Sequence, residues 1–281
     1  MPATGSTRYL RPRDLDEAVN ARAAHRDWMM LAGGTDLMVN ANHREAPSGI
    51  LDLWRLPDLG FIRVDDGSIA IGAGTTWHEV ERHPAIRDKL ASLASAAREI
   101  GALQIQARAT LGGNVGTSSP VGDSLPVLLA LDATIEVAST RGRRRVPYAQ
   151  WCTGFRKTQL APDEILVAAH VPVPAAGTHT AWRKVGTRRA QSISKVMGAA
   201  AISFDGDVVV SARVALGAVA DRPIRISAVE QAVRGLTRGN AGDAARVALR
   251  SAIRPIDDVR STASYRLEVA ENLVARFFSV S

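Results

Sequence analysis

The glycines and short polar residues of this 281-residue sequence crowd into residues 108–126, RATLGGNVGTSSPVGDSLP. Four glycines, two threonines, three serines, an asparagine and an aspartate fall within those nineteen positions. Gly112-Gly113 allows positive φ and lets a ligand approach the backbone amides closely. Asn114, Thr117, Ser118, Ser119 and Asp123 add hydrogen-bonding side chains beside them. The pattern suits a loop that wraps a polar, phosphorylated ligand; it also describes an ordinary Gly/Ser/Pro surface connection. A second segment, Leu31-Ala32-Gly33-Gly34-Thr35-Asp36-Leu37, runs from an apolar stretch (28–31) toward an expected helix over 36–42. Thr35 or Asp36 can cap that helix. A glycine pair before a helix start gathers free amides and the positive dipole end, which suits a pyrophosphate. It is neither a P-loop nor a Rossmann fingerprint, since no Gly-Lys-Ser/Thr and no G-x-G-x-x-G follows.

No other chemistry stands out. The six histidines lack metal spacing, with His78 and His83 five positions apart. Cys152 stands alone, so the chain offers no disulfide framework, thiolate metal site or iron–sulfur cluster. There is no Ser-His-Asp pattern and no acid/base pair, so no catalytic side chain is expected.

Both glycine segments need elements to hold them. Residues 8–31 read as a strand, a helix over 15–24 and a buried strand, and 50–53 as a further short strand. Asp65-Asp66-Gly67 lies between alternating runs at 61–64 and 69–71, a hairpin signal. Thr75 or Thr76 can cap a helix over 77–82, and Pro84 closes or restarts it. Ile86, Leu90, Leu93, Ala97 and Ile100 predict one helix over 85–100, broken by Gly101. After the central loop, Asp123 or Ser124 with Pro126 in the first turn starts a helix through 131. A hairpin over 134–146 and a strand over 165–173 follow, and 174–180 is the candidate domain boundary. Beyond it come strands at 182–185, 196–204 and 208–219, then helices over 227–235, 241–253 and 262–280. Val269, Leu273 and Phe277 form one apolar stripe on the last.

Composition narrows the class. The net charge is +7, and 31 arginines stand against 4 lysines. They are scattered apart from residues 141–145, and few aromatics interleave, so nucleic-acid binding is not expected. A basic face toward acidic partners or cofactor phosphates accounts for the charge. No apolar run approaches the ~20 residues of a membrane span, and the N-terminus lacks the apolar core of a secretory signal. A cytoplasmic protein is expected.

The two glycine segments, in this order, carry a family likeness. AGGTDL, ATLGGNVGTSSPVGDSLPVLLALDA, GFRKTQLAPDEIL and WRKVGTRRAQSISKVMGAAAI lie in register over nearly the whole chain, from about Tyr9 onward. Together they resemble the FAD-binding medium subunit of molybdenum hydroxylases, the carbon monoxide dehydrogenase and xanthine dehydrogenase family. The resemblance implies an α+β fold: a two-lobed FAD-binding module of the vanillyl-alcohol-oxidase (PCMH) type over 1–175, with lobes near 1–55 and 56–175. A C-terminal domain over 178–281, with a small antiparallel sheet and helices, would complete it.

By the same resemblance, FAD lies between the lobes. Leu31, Ala32, Gly33, Gly34, Thr35, Asp36 and Leu37 form its first pyrophosphate loop, and Thr110, Gly113, Asn114, Thr117, Gly122 and Asp123 the second. A carboxylate beside a pyrophosphate is repulsive, so Asp123 belongs with ribityl or ribose hydroxyls, or serves as a helix cap. Ile100 and Gly101 match positions lining the adenine or ribose side, and Ile165 and Leu166 positions near the flavin. Lys184 matches a lysine near the flavin, where a cation stabilises negative charge on the reduced ring; a solvated strand lysine is the alternative. Arg188, Arg189 and Gln191 gain no individual role. Ala190-Gln191-Ser192 replaces acidic residues of some relatives, which leaves an NAD-type acceptor site open. The implied partners are a large molybdopterin-binding subunit and a small [2Fe–2S] subunit, assembled as a dimer of heterotrimers. The rival reading is a stand-alone FAD-dependent oxidoreductase. It lacks support from long substrate-domain insertions or residues for covalent flavin attachment.

Overall fold

The computed structural model describes residues 7–39, 45–188 and 191–279. β1 (Arg8–Leu10), β2 (Met29–Leu31) and β3 (Gly49–Asp52) form a parallel sheet in the order β1-β3-β2. Parallel strands need a crossover, and α1 (Leu15–Ala24) supplies it. Asp14 caps α1 by accepting from the Glu17 amide at 2.7 Å, and Leu15, Ala18 and Val19 bury its inner face. The first glycine segment leaves the carboxyl end of β2, the end at which open parallel sheets characteristically bind ligands.

β4 (Ile62–Asp65) and β5 (Ser68–Gly72) form the expected hairpin, with Gly67 at φ +70° in its turn. Six short helices follow: α2 (Trp77–Arg82), α3 (Pro84–Lys89), α4 (Ala91–Glu99), α5 (Leu103–Gln106), α6 (Leu111–Thr117) and α7 (Leu125–Ala130). Then come β6 (Thr134–Ser139), β7 (Gly142–Pro147), α8 (Tyr148–Trp151), the small β8–β9 hairpin (Cys152–Gly154, Lys157–Thr158) and β10 (Ile165–Pro172). The five-stranded antiparallel sheet has the order β4-β5-β10-β6-β7. Central β10 is buried on both faces. Leu166, Ala169 and Val171 join the helix-covered core with Trp77, Leu93 and Leu128, while Ile165 and Val167 pack with Leu15, Leu51 and Leu59. That double burial explains why its sequence is a near-continuous apolar run rather than an alternation.

β11 (His179–Val185), β12 (Val196–Asp205), β13 (Val208–Gly217) and β14 (Ile224–Arg225) make a four-stranded antiparallel sheet in chain order. Helices α9 (Ser227–Val233), α10 (Arg238–Ala252) and α11 (Ala263–Ser279) cover one face, with Ala200, Ile202, Leu249, Leu273 and Phe277 in the shared core. The other face sends Trp182, Ala199, Ala201 and Ala215 into the core of the preceding helices.

Three local expectations change. The run over 85–100 is two helices, because Leu90 leaves helical geometry at φ −128°, ψ 50°. Residues 111–117 are helical rather than loop. Glycine in a helix costs up to ~1 kcal/mol relative to alanine, but tertiary contacts hold this turn in place. Leu111 and Val115 are fully buried, the Leu111 and Gly112 amides donate to Thr75 and Ala73 carbonyls, and Trp151 Nε1 donates to Val115 O at 3.0 Å. The helix expected over 36–42 shows only a first turn, where Met38 N donates to Gly34 O at 2.9 Å, and residues 40–42 lie outside the described residues.

The edge strand β7 is fastened by charge. Arg144 reaches both Glu164 carboxylate oxygens at 2.7 Å, and the Ala161 amide adds a bond at 2.8 Å. The Arg144 guanidinium holds the Glu164 carboxyl below its ordinary range, against an opposing effect of burial. A carboxyl depressed in the folded state stabilises the fold above its unfolded value, ~4.3, and loses that contribution as pH falls through the folded one. Arg144→Ala is therefore expected to lower the urea midpoint at pH 7, with the gap to wild type closing below about pH 4. A gap that is constant from pH 7 to pH 3 would contradict this.

Candidate functional site

A cavity of about 460 Å³ opens where the three-stranded sheet meets the helix-covered face of the larger one. That is within the ~300–1,000 Å³ of small-molecule and cofactor sites. The whole first segment, Leu31, Ala32, Gly33, Gly34, Thr35, Asp36 and Leu37, lines one side. Thr110, Gly113, Asn114, Thr117 and Gly122 line the other, and Leu166 rises from the sheet between them. Met30, Leu53, Leu59, Ile100, Ile105 and Leu160 make much of the remaining wall apolar. An occupant with an apolar ring system and a polar chain matches both halves.

The two glycine segments touch each other. A Cβ on Gly33 would lie 1.7 Å from Arg108 O, so only glycine lets them meet, and Arg108 Nε lies 3.4 Å from Gly33 O. Gly34 adopts φ +77°, the left-handed region open to glycine. The amides of Gly34, Thr35 and Asp36 donate to no other described residue. Asp36 is held by Arg156 of the β8–β9 hairpin, Nη2 to Oδ2 at 2.5 Å.

The second segment works differently from the sequence expectation. The Gly112 amide donates to Ala73 O, and the Gly113 amide to the capping Thr110 Oγ1 at 3.0 Å, so neither is bare. What α6 offers the cavity is its side-chain-free surface and the side chains between. A Cβ on Gly116 would meet no protein atom within 4 Å. Asn114 Oδ1 accepts from Ser124 Oγ at 2.7 Å, which leaves its NH₂ group to donate elsewhere. Trp77, fully buried in the cavity wall, has an indole N–H with no acceptor among the described residues.

Four expected residues stand outside the lining. Ile165 is fully buried on the opposite face of β10 from Leu166, as strand alternation requires. Gly101, at φ +56°, turns the chain beside the cavity, where Ile100 and Ile105 form the wall, and its carbonyl accepts from the Gln191 amide. Asp123 and Lys184 pair with each other. Lys184 Nζ lies 2.6 Å from Asp123 Oδ2, their side chains are 4% and 9% exposed, and Ser194 Oγ donates to Asp123 Oδ1 at 2.6 Å. Trp182 Nε1 donates to Asp123 O at 2.9 Å, and Lys184 also approaches Glu99 O at 3.4 Å. Burial pushes the Asp123 carboxyl above its usual range, and Lys184 and Ser194 pull it back. Lys184 is therefore neither solvated nor a member of the cavity lining. Asp123 caps no helix; Ser124 stands at that position, without a side-chain cap bond.

Sequence reasoning left several wall residues unassigned. Ser119 was named only as a hydrogen-bonding side chain of the glycine-rich stretch, and Gly116 sat inside the same stretch and could have been found there. Leu59, Ile105, Leu160 and Trp77 come from separate elements, and no local signal in the sequence joins them to the cavity; Arg156 stands outside the lining and reaches it only through Asp36.

The α+β architecture and this amphipathic cavity define a chain with a site for a small molecule that has an apolar ring system and a polar chain. Residues 5–174 match the model of the FAD binding domain in molybdopterin dehydrogenase, and residues 181–280 that of the CO dehydrogenase flavoprotein C-terminal domain. The chain belongs to this family of FAD-binding molybdopterin dehydrogenase subunits, and its cofactor is FAD. The glyceraldehyde dehydrogenase medium chain of Sulfolobus acidocaldarius is 32% identical over 273 residues, covering 96% of each chain. The nicotinate dehydrogenase FAD-subunit of Eubacterium barkeri is 34% identical over 203 residues, 70% of this chain and 69% of that one. Among solved structures, a chain of the Hydrogenophaga pseudoflava carbon monoxide dehydrogenase superposes with TM-score 0.92 at 30% identity, covering 97% of this chain and 96% of that chain. The residues present fit the cofactor: free amides and the Asn114 amide for the pyrophosphate, open glycine surface beside it, and apolar walls for the ring.

Proposed function

We propose that this chain is the electron-transferring FAD subunit of a heterotrimeric molybdenum hydroxylase. It would assemble with a large molybdopterin-binding subunit and a small [2Fe–2S] subunit, as a dimer of heterotrimers in the cytoplasm. FAD, when bound, supplies the capacity to take electrons from the partner's clusters and hand them to an external acceptor. The chain's residues bind and orient it. Gly34, Thr35 and Asp36 present their amides, Asn114 and Thr117 face them across the cavity, and Leu166, Ile105 and Leu59 exclude water from the apolar part. Residues 1–175 would form the FAD-binding unit, in lobes near 1–55 and 56–175, with residues 178–281 as the second domain. Among the described residues no helix is long and apolar enough to cross a membrane.

One observation carries the reading. The chain aligns from end to end with medium chains of multi-subunit dehydrogenases, and both aligned glycine segments converge on one cavity. That supports a subunit over a stand-alone oxidoreductase. Purified protein is expected to be yellow, and denaturation should release intact FAD equimolar with the chain. A colourless preparation that takes up no added FAD would contradict it.

A further inference from the structure

Among the described residues that line the cavity, Asp36 is the one that carries a charge. Its sign opposes the cofactor, because a pyrophosphate brings negative charge to the segment that bears this carboxylate, whose side chain is 55% exposed and so repels it at the moderate strength of a surface charge. Arg156 alters the balance. It stands in the turn of the β8–β9 hairpin at φ +52°, and its Nη2 lies 2.5 Å from Asp36 Oδ2, 120 positions away in the chain. The bond is charge-assisted, and both side chains stay partly in water, 37% and 55% exposed. A second guanidinium flanks the same segment. Arg108 is stacked 4.0 Å from the Trp54 ring centroid and points Nε toward Gly33 O. The first glycine segment is thus bracketed by two arginines, of which only Arg156 contacts its acid.

We propose that Arg156 is a positioning and charge-compensating residue for the phosphate-bearing cofactor. It neutralises Asp36 and ties the first glycine segment to the β8–β9 hairpin. The segment then turns its free amides, rather than an unpaired carboxylate, toward the pyrophosphate. This rests on the cavity being the FAD site.

A double-mutant cycle read by FAD titration of the apo chain tests it. Arg156→Ala is expected to weaken FAD binding about tenfold, equivalent to ~1.4 kcal/mol, with an unchanged melting temperature. Arg156→Lys, which keeps the charge, should stay within about threefold of wild type. Asp36→Asn combined with Arg156→Ala should also return to within about threefold, because the repulsion and its compensator leave together. Should Arg156→Ala fail to fold, Arg156→Gln takes its place in the cycle. Wild-type affinity in the single variant, or a double variant as weak as the single, would overturn the proposal. The second outcome would make Arg156 a strap only. A wild-type chain that binds no FAD would instead overturn the FAD reading, and this inference with it.

Discussion

Lys184→Ala is expected to lower the unfolding free energy by about 3–5 kcal/mol, the cost of breaking a buried ion pair by removing one partner. The Asp123 carboxylate would keep Ser194 Oγ at 2.6 Å but lose its cation, in a side chain only 9% exposed. Against a total stability of ~5–15 kcal/mol this is a large fraction. Replacing both residues, Asp123→Asn with Lys184→Met, should recover most of the loss, since no charge is then stranded. Urea unfolding of the three variants measures this. A loss below about 1 kcal/mol for Lys184→Ala would mean that water reaches and screens the pair. A cation placed against the flavin would reveal itself otherwise, through a lowered reduction potential at unchanged stability.

The second large effect separates binding from folding. Gly116→Val is expected to weaken FAD binding by at least ~100-fold, or ~2.8 kcal/mol, while the apo chain folds as before. The position is helical, so valine replaces the poorer helix former, and its Cβ would meet no protein atom within 4 Å. The added atoms would stand in the open space at the cavity wall. Gly33→Ala makes a poor substitute, because its Cβ would strike Arg108 O and drive the two segments apart. Retained FAD affinity in Gly116→Val would remove α6 from the binding surface.

Much of this fold was legible wherever a segment's pattern depends on itself. The Asp66-Gly67 turn, the α1 helix, the apolar stripe of α11 and the Pro126 helix start follow from local chemistry, and the structure has them there. Residues 111–117 misled because glycine composition argues for loop, whereas partners from distant positions, Ala73, Thr75 and Trp151, impose a helix. Lys184 is the sharper case. A lone lysine on a strand carries no sign that Asp123, 61 positions earlier, is its partner, and burial of the pair is a property of two packed domains. The first glycine segment was readable as a feature of its own composition, and the structure places it in the cavity wall. Arg156 was not, because its contact is with an acid 120 positions away.

The chain is expected to hold FAD as a relay and to leave organic substrates unoxidised on its own. Flavin absorbance under anaerobic conditions tests it most directly, with the isolated chain mixed with purines, aldehydes, nicotinate or carbon monoxide. The same mixture is then repeated with the cognate large and small subunits added. The oxidised band should stay unchanged with the chain alone and be bleached by the complex's substrate once the partners are present. Bleaching by an organic substrate with the isolated chain would contradict it and make the protein an oxidoreductase in its own right.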